Sequence, residues 1–461
     1  MPCSFVPPYL LRHLATTASG SGGERRLSAL EHDARLRRQR AGAAHRPATR
    51  RPLLADGGLP DRVIHSAGNA EVLPGSPVRA DGQPPSGDLA VDEAYASSAQ
   101  VWDLFASQFR RPSVDGTGAT LSVTVHYGQD YDNAFWDGLQ LVFGDGDGEV
   151  FDRFTKPLDV MAHEFTHGVT QFSAGLTYAG QPGALNESVS DVFASLTKQR
   201  VLGQDAGRAD WLIGEGLFLP GVGARALRSM LEPGTAYDDP RLGRDPQVGS
   251  MADYVDTTED NGGVHINSGI PNRAFALAAQ AIGGPSWDRP GAVWYDTLTG
   301  GQVGPDTDFA GFAAATVGSA ARLFPDDPAV AAHVRSGWEQ VGVLTTAPAP
   351  APAETEPDRP LDLVPAAQAR RVAVRRTGGF AGIVRTAELD LDGDPAGPQV
   401  RELLLATDLT QFGASRPAPD RFVYTVALDE WQLVVPEQDL TPELDQVVRI
   451  VLGGSGGLDL G

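Results

Sequence analysis

A single cysteine, Cys3, in 461 residues leaves no partner for an intrachain disulfide, so packing or a metal must hold the fold. Lysine is nearly absent as well: Lys156 and Lys198 are two of 37 basic residues, and arginine supplies the rest. Such a bias follows overall composition and marks no site by itself. Basic charge is outnumbered, because 59 Asp plus Glu bring the net charge to −22. That sign argues against a nucleic-acid backbone or an anionic membrane surface as a partner. Long apolar runs are also missing. The Ala-rich stretch from Phe309 to Ala320 is broken by Gly311 and Gly318, short of the ~20 apolar residues that cross a bilayer. The opening residues carry Pro7 and Pro8 and lack the cationic start and apolar core of a Sec-type signal peptide. These absences point to a soluble protein, cytoplasmic or secreted by a non-classical route.

What is present is unevenly spread. Residues 1–51 hold ten Arg against Glu24, Glu31 and Asp33, a net +7 that leaves −29 for the remainder. At ~150 residues per domain the length admits about three. Leu27–Arg40 reads as a short polar helix, and Ala41–Gly87, rich in Gly, Pro, Ala and Arg, as an exposed connector. From Asp88 the pattern tightens. Ala90–Phe109 has helical apolar spacing, Thr120–His126 alternates like a strand, and Leu139–Phe143 is a short apolar run ahead of Gly144-Asp-Gly-Asp-Gly148. Near Val343 this gives way to Thr345–Pro360, an Ala, Pro and Glu spacer. Residues 366–453 then alternate at Arg371-Val-Ala-Val-Arg375 and Phe422-Val-Tyr-Thr-Val426, with turn signals at Gly378-Gly379 and Asp392-Gly393. Leu403–Leu409 and Glu443–Val451 fit a helix or a buried strand equally, and the whole reads as a small β-rich module.

The chemistry is concentrated in the middle. His163-Glu-Phe-Thr-His167 sets two imidazoles at i and i+4, stacked on one helix face where they can grip one zinc ion. Chance produces this pattern on the order of 0.01 times in such a chain. Gly183-Ala-Leu-Asn-Glu-Ser-Val-Ser-Asp191 then offers Glu187 as a third ligand, leaving a coordination position open for water. Asp191, one turn on, can accept the other N–H of a ligand imidazole. An open His₂Glu site is a catalytic one.

Together with Asn133-Ala-Phe-Trp-Asp-Gly138, Gly144-Asp-Gly-Asp-Gly148, Ala226-Leu-Arg-Ser-Met230 and Asp260-Asn-Gly-Gly-Val-His-Ile-Asn-Ser-Gly269, these motifs make Asp88–Val343 resemble the thermolysin family of zinc metallopeptidases. The resemblance implies an α+β peptidase with a mostly β N-terminal lobe, a mostly α C-terminal lobe and the zinc helix between them. It also implies a neutral endopeptidase acting on peptides or proteins. Peptide chemistry and the resemblance both make Glu164 the general base that takes the proton of the attacking water and returns it to the leaving amine. By resemblance His265 stabilises the oxyanion, Asp260 orients its ring and Tyr178 donates to the same oxygen. The same resemblance implies that Arg228 holds a substrate carbonyl, that Asn133 and the Ala134 backbone form the hydrogen-bonding edge, and that Val160 and Leu227 line an apolar S1′ pocket. The implied cleavage is on the amino side of a bulky hydrophobic residue.

The family's calcium positions are only partly kept. Asp159, Asp210 and Glu215 remain, but Lys198 and Leu212 stand at two others and Arg225 replaces an aspartate, so an ammonium takes a cation's place and argues against a calcium requirement. Cys3-Ser-Phe-Val-Pro-Pro-Tyr-Leu-Leu11 resembles the short propeptide of protealysin-like members, with a disordered tail as the competing reading. Cys3 is a candidate latency ligand for zinc, or incidental. Arg375-Arg-Thr-Gly-Gly-Phe-Ala-Gly-Ile383 and Glu388-Leu-Asp-Leu391 resemble emfourin, a peptidase inhibitor, the alternative being a surface-binding appendage. The organisation expected is a propeptide over 1–55, a connector with the processing region over 56–87, a peptidase domain over 88–343, a Pro/Ala-rich linker over 344–365 and an emfourin-like module over 366–461. The enzyme's own propeptide and C-terminal module are its expected internal partners. The reading from another class is a catalytically idle scaffold whose β module does the binding.

Overall fold

A computed structural model describes residues 3–17, 61–344, 369–378, 385–407, 422–429 and 431–453. The helix expected over Leu27–Arg40, the connector before residue 61 and the spacer Thr345–Pro360 lie outside the described residues. The chain divides into two compact units, Met1–Ala349 and Pro350–Gly461.

In the first unit a short strand β1 (Cys3–Ser4) leads into helix α1 (Pro8–Thr17), which buries Leu10, Leu11 and Leu14. Strands β2 (Arg62–Ser66) and β3 (Ser76–Ala80) follow. They correct the reading of 56–87 as connector throughout. The buried face of β2 is made by Arg62 and Ile64, a charged residue beside an apolar one, and β3 contains Pro77, so neither shows clean alternation. Helix α2 (Leu89–Asp103) starts where Asp88 accepts hydrogen bonds from the amides of Ala90 and Val91, and it ends in a π-helical turn over Leu104–Gln108. Strands β4 (Leu121–Val125), β5 (Ala134–Trp136) and β6 (Leu141–Phe143) complete a six-stranded sheet of order β1-β5-β6-β4-β2-β3. The β2–β4 and β4–β6 pairs are parallel and the others antiparallel.

Helix α3 (Leu158–Gln171) carries the two histidines and packs on β5, and α4 (Gly180–Leu202) lies against it. A Cβ at Gly183 in α4 would stand 2.5 Å from Val264 Cγ1, so only glycine lets α4 approach the segment that bears His265. Short pairs β7 (Leu212–Ile213) with β8 (Arg228–Ser229) and β9 (Asp238–Asp239) with β10 (Gly243–Arg244) precede the remaining helices. These are α5 (Asp260–Asn267), α6 (Gly269–Ile282), α7 (Arg289–Thr299), α8 (Phe309–Leu323) and α9 (Pro328–Gln340). One apolar core runs through the unit, from Phe5 and Leu14 to Trp294 and Trp338. A sheet-rich lobe and a helical lobe therefore meet at α3, as the thermolysin-like expectation requires. No described helix is long and apolar enough to cross a membrane.

The second unit is an antiparallel sheet of order β12-β11-β13-β14, built from β11 (Arg371–Gly378), β12 (Arg385–Asp390), β13 (Phe422–Leu428) and β14 (Trp431–Pro436). Helices α10 (Gly397–Ala406) and α11 (Pro442–Gly453) pack together, and α11 lies on β11 and β12. The run Glu443–Val451 resolves as a helix because Leu444, Val447, Val448 and Val451 share one buried face at helical spacing, and Leu403–Ala406 ends α10, the last two residues of the Leu403–Leu409 run lying outside the described residues. Val372 and Val374 meet Tyr424, Val426 and Leu428 in its core.

Candidate active site

Spacing on α3 and α4 brings the expected metal ligands together. Among the described residues His163, His167 and Glu187 form the one cluster of metal-binding type, with a ligand atom of each lying within 4.8 Å of the others. Their outer contacts fix how they face. His163 Nδ1 is 2.9 Å from Asp191 Oδ1, and His167 Nδ1 is 2.9 Å from Asn186 Oδ1. Each of those oxygens accepts, so both rings carry the proton on Nδ1 and turn unprotonated Nε2 atoms toward one another, 2.9 Å apart. The Glu187 carboxylate closes the set at 3.4 Å from one Nε2 and 3.5 Å from the other. Two lone pairs and an anion converge on a buried point that calls for positive charge. Two imidazoles and one carboxylate fit zinc with a coordination position left open.

Around this point, charges are held away from water. His163, Glu164, His167, Glu187, Asp191, Arg228 and His265 are all 2% exposed or less. Trp136 donates its backbone N–H to Glu164 Oε2 at 2.8 Å, while Glu164 Oε1 is buried without a hydrogen-bond partner. Burial, only partly offset by His163, pushes the Glu164 carboxyl up to about 8, and a divalent cation on the adjacent ligands would lower it again. Asp191 is held down at about 2 although burial opposes this, because Arg228 and His163 favour its anion. Arg228 grips it with Nε on Oδ2 at 2.9 Å and Nη2 on Oδ1 at 2.8 Å, and Asn272 adds a third bond at 2.8 Å.

The other expected residues arrive on separate elements. His265 lies on α5, which begins with Asp260, Asn261, Gly262 and Gly263 at φ between +51 and +89. That left-handed start, tolerated by Asn and Gly, turns Asp260 back so that Oδ2 accepts the His265 amide at 2.9 Å and Oδ1 faces His265 Nδ1 at 2.7 Å. Burial works against the His265 cation, but Asp260 and Glu187 raise its pKa. Tyr178 hydroxyl bonds Glu187 Oε1 and lies 3.3 Å from His265 Nε2.

The cleft is filled by the chain's own N-terminal segment. Cys3 and Ser4 pair with Trp136 and Phe135 on β5, and Phe5 donates its amide to the Ala134 carbonyl at 3.0 Å. His265 Nε2 meets the Ser4 carbonyl at 3.0 Å, and Arg228 Nη1 meets the Phe5 carbonyl at 3.1 Å. Asn133 bonds Val6 twice, accepting its N–H at 2.8 Å and donating to its carbonyl at 3.1 Å. The Phe5 ring packs edge-on against His163 and under the Arg228 guanidinium. It shares its buried cluster with Val160 and Leu227. The Cys3 thiol, a candidate latency ligand, belongs to a side chain outside the described set.

Sequence reasoning overlooked Asn186, Ser190 and Asn272, which support His167 and Asp191. Asn186 and Ser190 stand beside Glu187 and Asp191 on α4, so the same i, i+4 arithmetic reaches them. Nothing in the local sequence pairs Asn272 with Asp191.

Residues 81–171 match the family model for the thermolysin metallopeptidase catalytic domain, and residues 174–343 that for its alpha-helical domain. The "Extracellular metalloprotease" of Pectobacterium carotovorum subsp. carotovorum is 50% identical over 341 residues, covering 74% of this chain and 96% of that protein. The chain belongs to the thermolysin metallopeptidase family. "Protease PrtS" of a Photorhabdus species is 42% identical over 340 residues, covering 73% of this chain and 91% of the relative. The solved precursor of protealysin, a metalloproteinase from Serratia proteamaculans, is 50% identical with a TM-score of 0.68 over 74% of this chain and all of that one. Residues 374–452 match the emfourin family model. This thermolysin-family member is thus a protealysin-like metalloendopeptidase with an emfourin module, and its family implies zinc for the triad. One expectation is overturned: a relative named an extracellular metalloprotease points to secretion and away from the cytoplasm. A pattern search for a Sec-type signal reads one export route only.

Proposed function

We propose that the enzyme hydrolyses internal peptide bonds of extended chains laid along β5, on the amino side of a bulky apolar residue. The observation carrying this is the open Glu164 Oε1 beside the buried triad, with an extended segment held across it. Zinc on His163, His167 and Glu187 supplies the Lewis acidity that makes water a nucleophile at neutral pH and polarises the carbonyl. Glu164 takes the water proton and gives it to the departing nitrogen. His265, oriented by Asp260, donates with Tyr178 to the oxygen that becomes anionic. Asn133, the Ala134 carbonyl and Arg228 hold the backbone beyond the cut, and the Phe5 pocket bounded by Val160 and Leu227 selects the side chain. Asp191 orients His163 and Arg228 together.

The enzyme is made latent. Its propeptide, over 1–55, covers the cleft through β1 and α1 until the chain is cut. Because β2 is an inner strand of the sheet, a cut that spares the enzyme falls before Arg62. The emfourin module restrains the enzyme through the 344–365 linker, which keeps its effective concentration high. A calcium requirement is not proposed, because Lys198 Nζ lies 2.9 Å from both Asp210 and Glu215. Zinc analysis together with casein turnover, before and after limited proteolysis, tests the reading. One zinc per chain with turnover that appears on removal of the N-terminal segment is expected; a zinc-loaded, cleaved chain that leaves casein intact refutes it.

A further inference from the structure

We propose that the enzyme cuts its own Ser4–Phe5 peptide bond and keeps the resulting Phe5 end in the cleft, so that trimming does not activate it. The proposal rests on the peptidase reading of the same site.

The register singles out this bond. Its carbonyl oxygen is the one held by His265 Nε2, which is itself 3.5 Å from the Glu187 carboxylate of the triad. Its nitrogen donates to the Ala134 carbonyl, so both ends of the amide are held by groups placed for the two charges that develop on scission. One residue on, the Phe5 carbonyl is held by Arg228, and the Val6 amide and carbonyl are held by Asn133. Among the described residues of the segment, no other bond has its carbonyl on His265. Pro7 and Pro8 lack N–H groups, and α1 begins at Pro8, so the extended course stops four residues after it starts.

The chemistry balances with water alone. The water oxygen bonds the Ser4 carbonyl carbon, and Glu164 takes its proton. The bond from that carbon to the Phe5 nitrogen breaks, with its electron pair going to nitrogen. The proton passes to that nitrogen, and the second proton of the water leaves the new carboxyl for the amine, so the products are a Ser4 carboxylate and a Phe5 ammonium.

The two products are held very differently. Among the described residues before Phe5, Cys3 and Ser4 are held by the short β1 pairing and one contact to His265. Those from Phe5 onward keep the Phe5 and Val6 bonds, the buried leucines of α1, the Arg12–Glu259 ion pair at 2.7 Å and the Thr17 hydroxyl bond to the Arg241 carbonyl. The short piece therefore leaves and the long one remains as bound product.

The test uses the full chain, prepared in chelator and then given zinc, with N-terminal sequencing and intact mass followed at two protein concentrations. Expected are chains that begin at Phe5, formed at a rate unchanged by dilution, with casein turnover still low. Glu164→Gln with zinc bound should keep its original N-terminus. A Ser4–Phe5 bond that survives overturns the proposal, as does a rate that rises with concentration, which would mark cutting between molecules. Casein turnover after removal of residues 1–60 separates the two readings: activity with the bond intact sinks only self-trimming, whereas no activity sinks the peptidase reading as well.

Discussion

Helix α3 is buried on every side from Asp159 to Thr170 and α11 along one face only, and the two interiors hold opposite chemistry. On α11 the buried residues are Leu444, Val447, Val448 and Val451. On α3 they include Asp159, His163, Glu164, Thr166, His167 and Thr170. Buried charge costs stability unless partners offset it, and around α3 every ligand has one: Asp191 for His163, Asn186 for His167 and Tyr178 for Glu187. The contrast teaches where each unit does its work. The peptidase unit carries a polar interior that only a reaction justifies, whereas the described core of the C-terminal unit is an ordinary apolar one that shapes a surface.

The largest way to break the contrast is to remove chemistry without removing fold. Glu164→Ala should keep one zinc per chain while peptide hydrolysis falls by about 10²–10⁴-fold or more. His163→Ala should lose zinc and activity together, and metal analysis beside a peptide assay distinguishes them. Retained turnover near wild type in the first variant would remove Glu164 from the mechanism.

On α11 the same kind of truncation should damage fold alone. Leu444→Ala should cost about 2–5 kcal/mol in the module's unfolding transition and leave the peptidase unit's transition in place, as calorimetry can resolve. Deleting the chain from near Thr345 sharpens the point. Short-peptide turnover by processed enzyme should rise, and added module should lower it again. No change in either direction would leave the module as an appendage for other surfaces.

Smaller effects concern ion clusters at the edge of the peptidase core. Burial pushes Asp159 up to about 6 even though Lys198 draws it back. A carboxyl raised on folding is tolerated while protonated and costs stability as pH climbs past its folded value. Lys198→Met should therefore lower the melting temperature little at about pH 5 and clearly at about pH 8. Added calcium should leave the wild type's melting temperature unchanged. Last, His126 has its pKa raised, chiefly by its hydrogen bond to Asp145, with Asp88 on its other nitrogen. A raised imidazole stabilises fully below its unfolded pKa and loses that contribution as pH rises through its folded one. His126→Gln should cost about 1 kcal/mol or less in urea at about pH 5.5, and nearly nothing at about pH 9.

How much of this was legible in the sequence depended on whether a contact is local. His163 and His167, and Glu187 and Asp191, sit one helical turn apart, so spacing alone put each pair on a face. The α11 face was equally periodic, but a run that short is ambiguous until its neighbours are placed. The roles expected of His265, Tyr178, Arg228 and Asn133 came through family resemblance, because turns such as the left-handed start of α5 leave no periodic trace. β2 was hidden for a related reason: its place between β4 and β3 is set by pairing far along the chain, and its own five residues hardly alternate. The seat of Ser4 and Phe5 is a register between residues 3–6 and 133–136, and register is written in neither segment alone.

The sheet order gives β1 a further meaning. As the outermost strand next to β5, it covers an edge that its removal leaves bare over Ala134–Trp136. A bare edge is a template for any extended backbone, whatever its side chains. On the proposed reading, removal of β1 leaves five of the six strands, and a substrate takes the place of the missing one. The opening is only three residues wide, enough to seat a chain across the triad and too short to zip two enzyme molecules together into a continuous sheet.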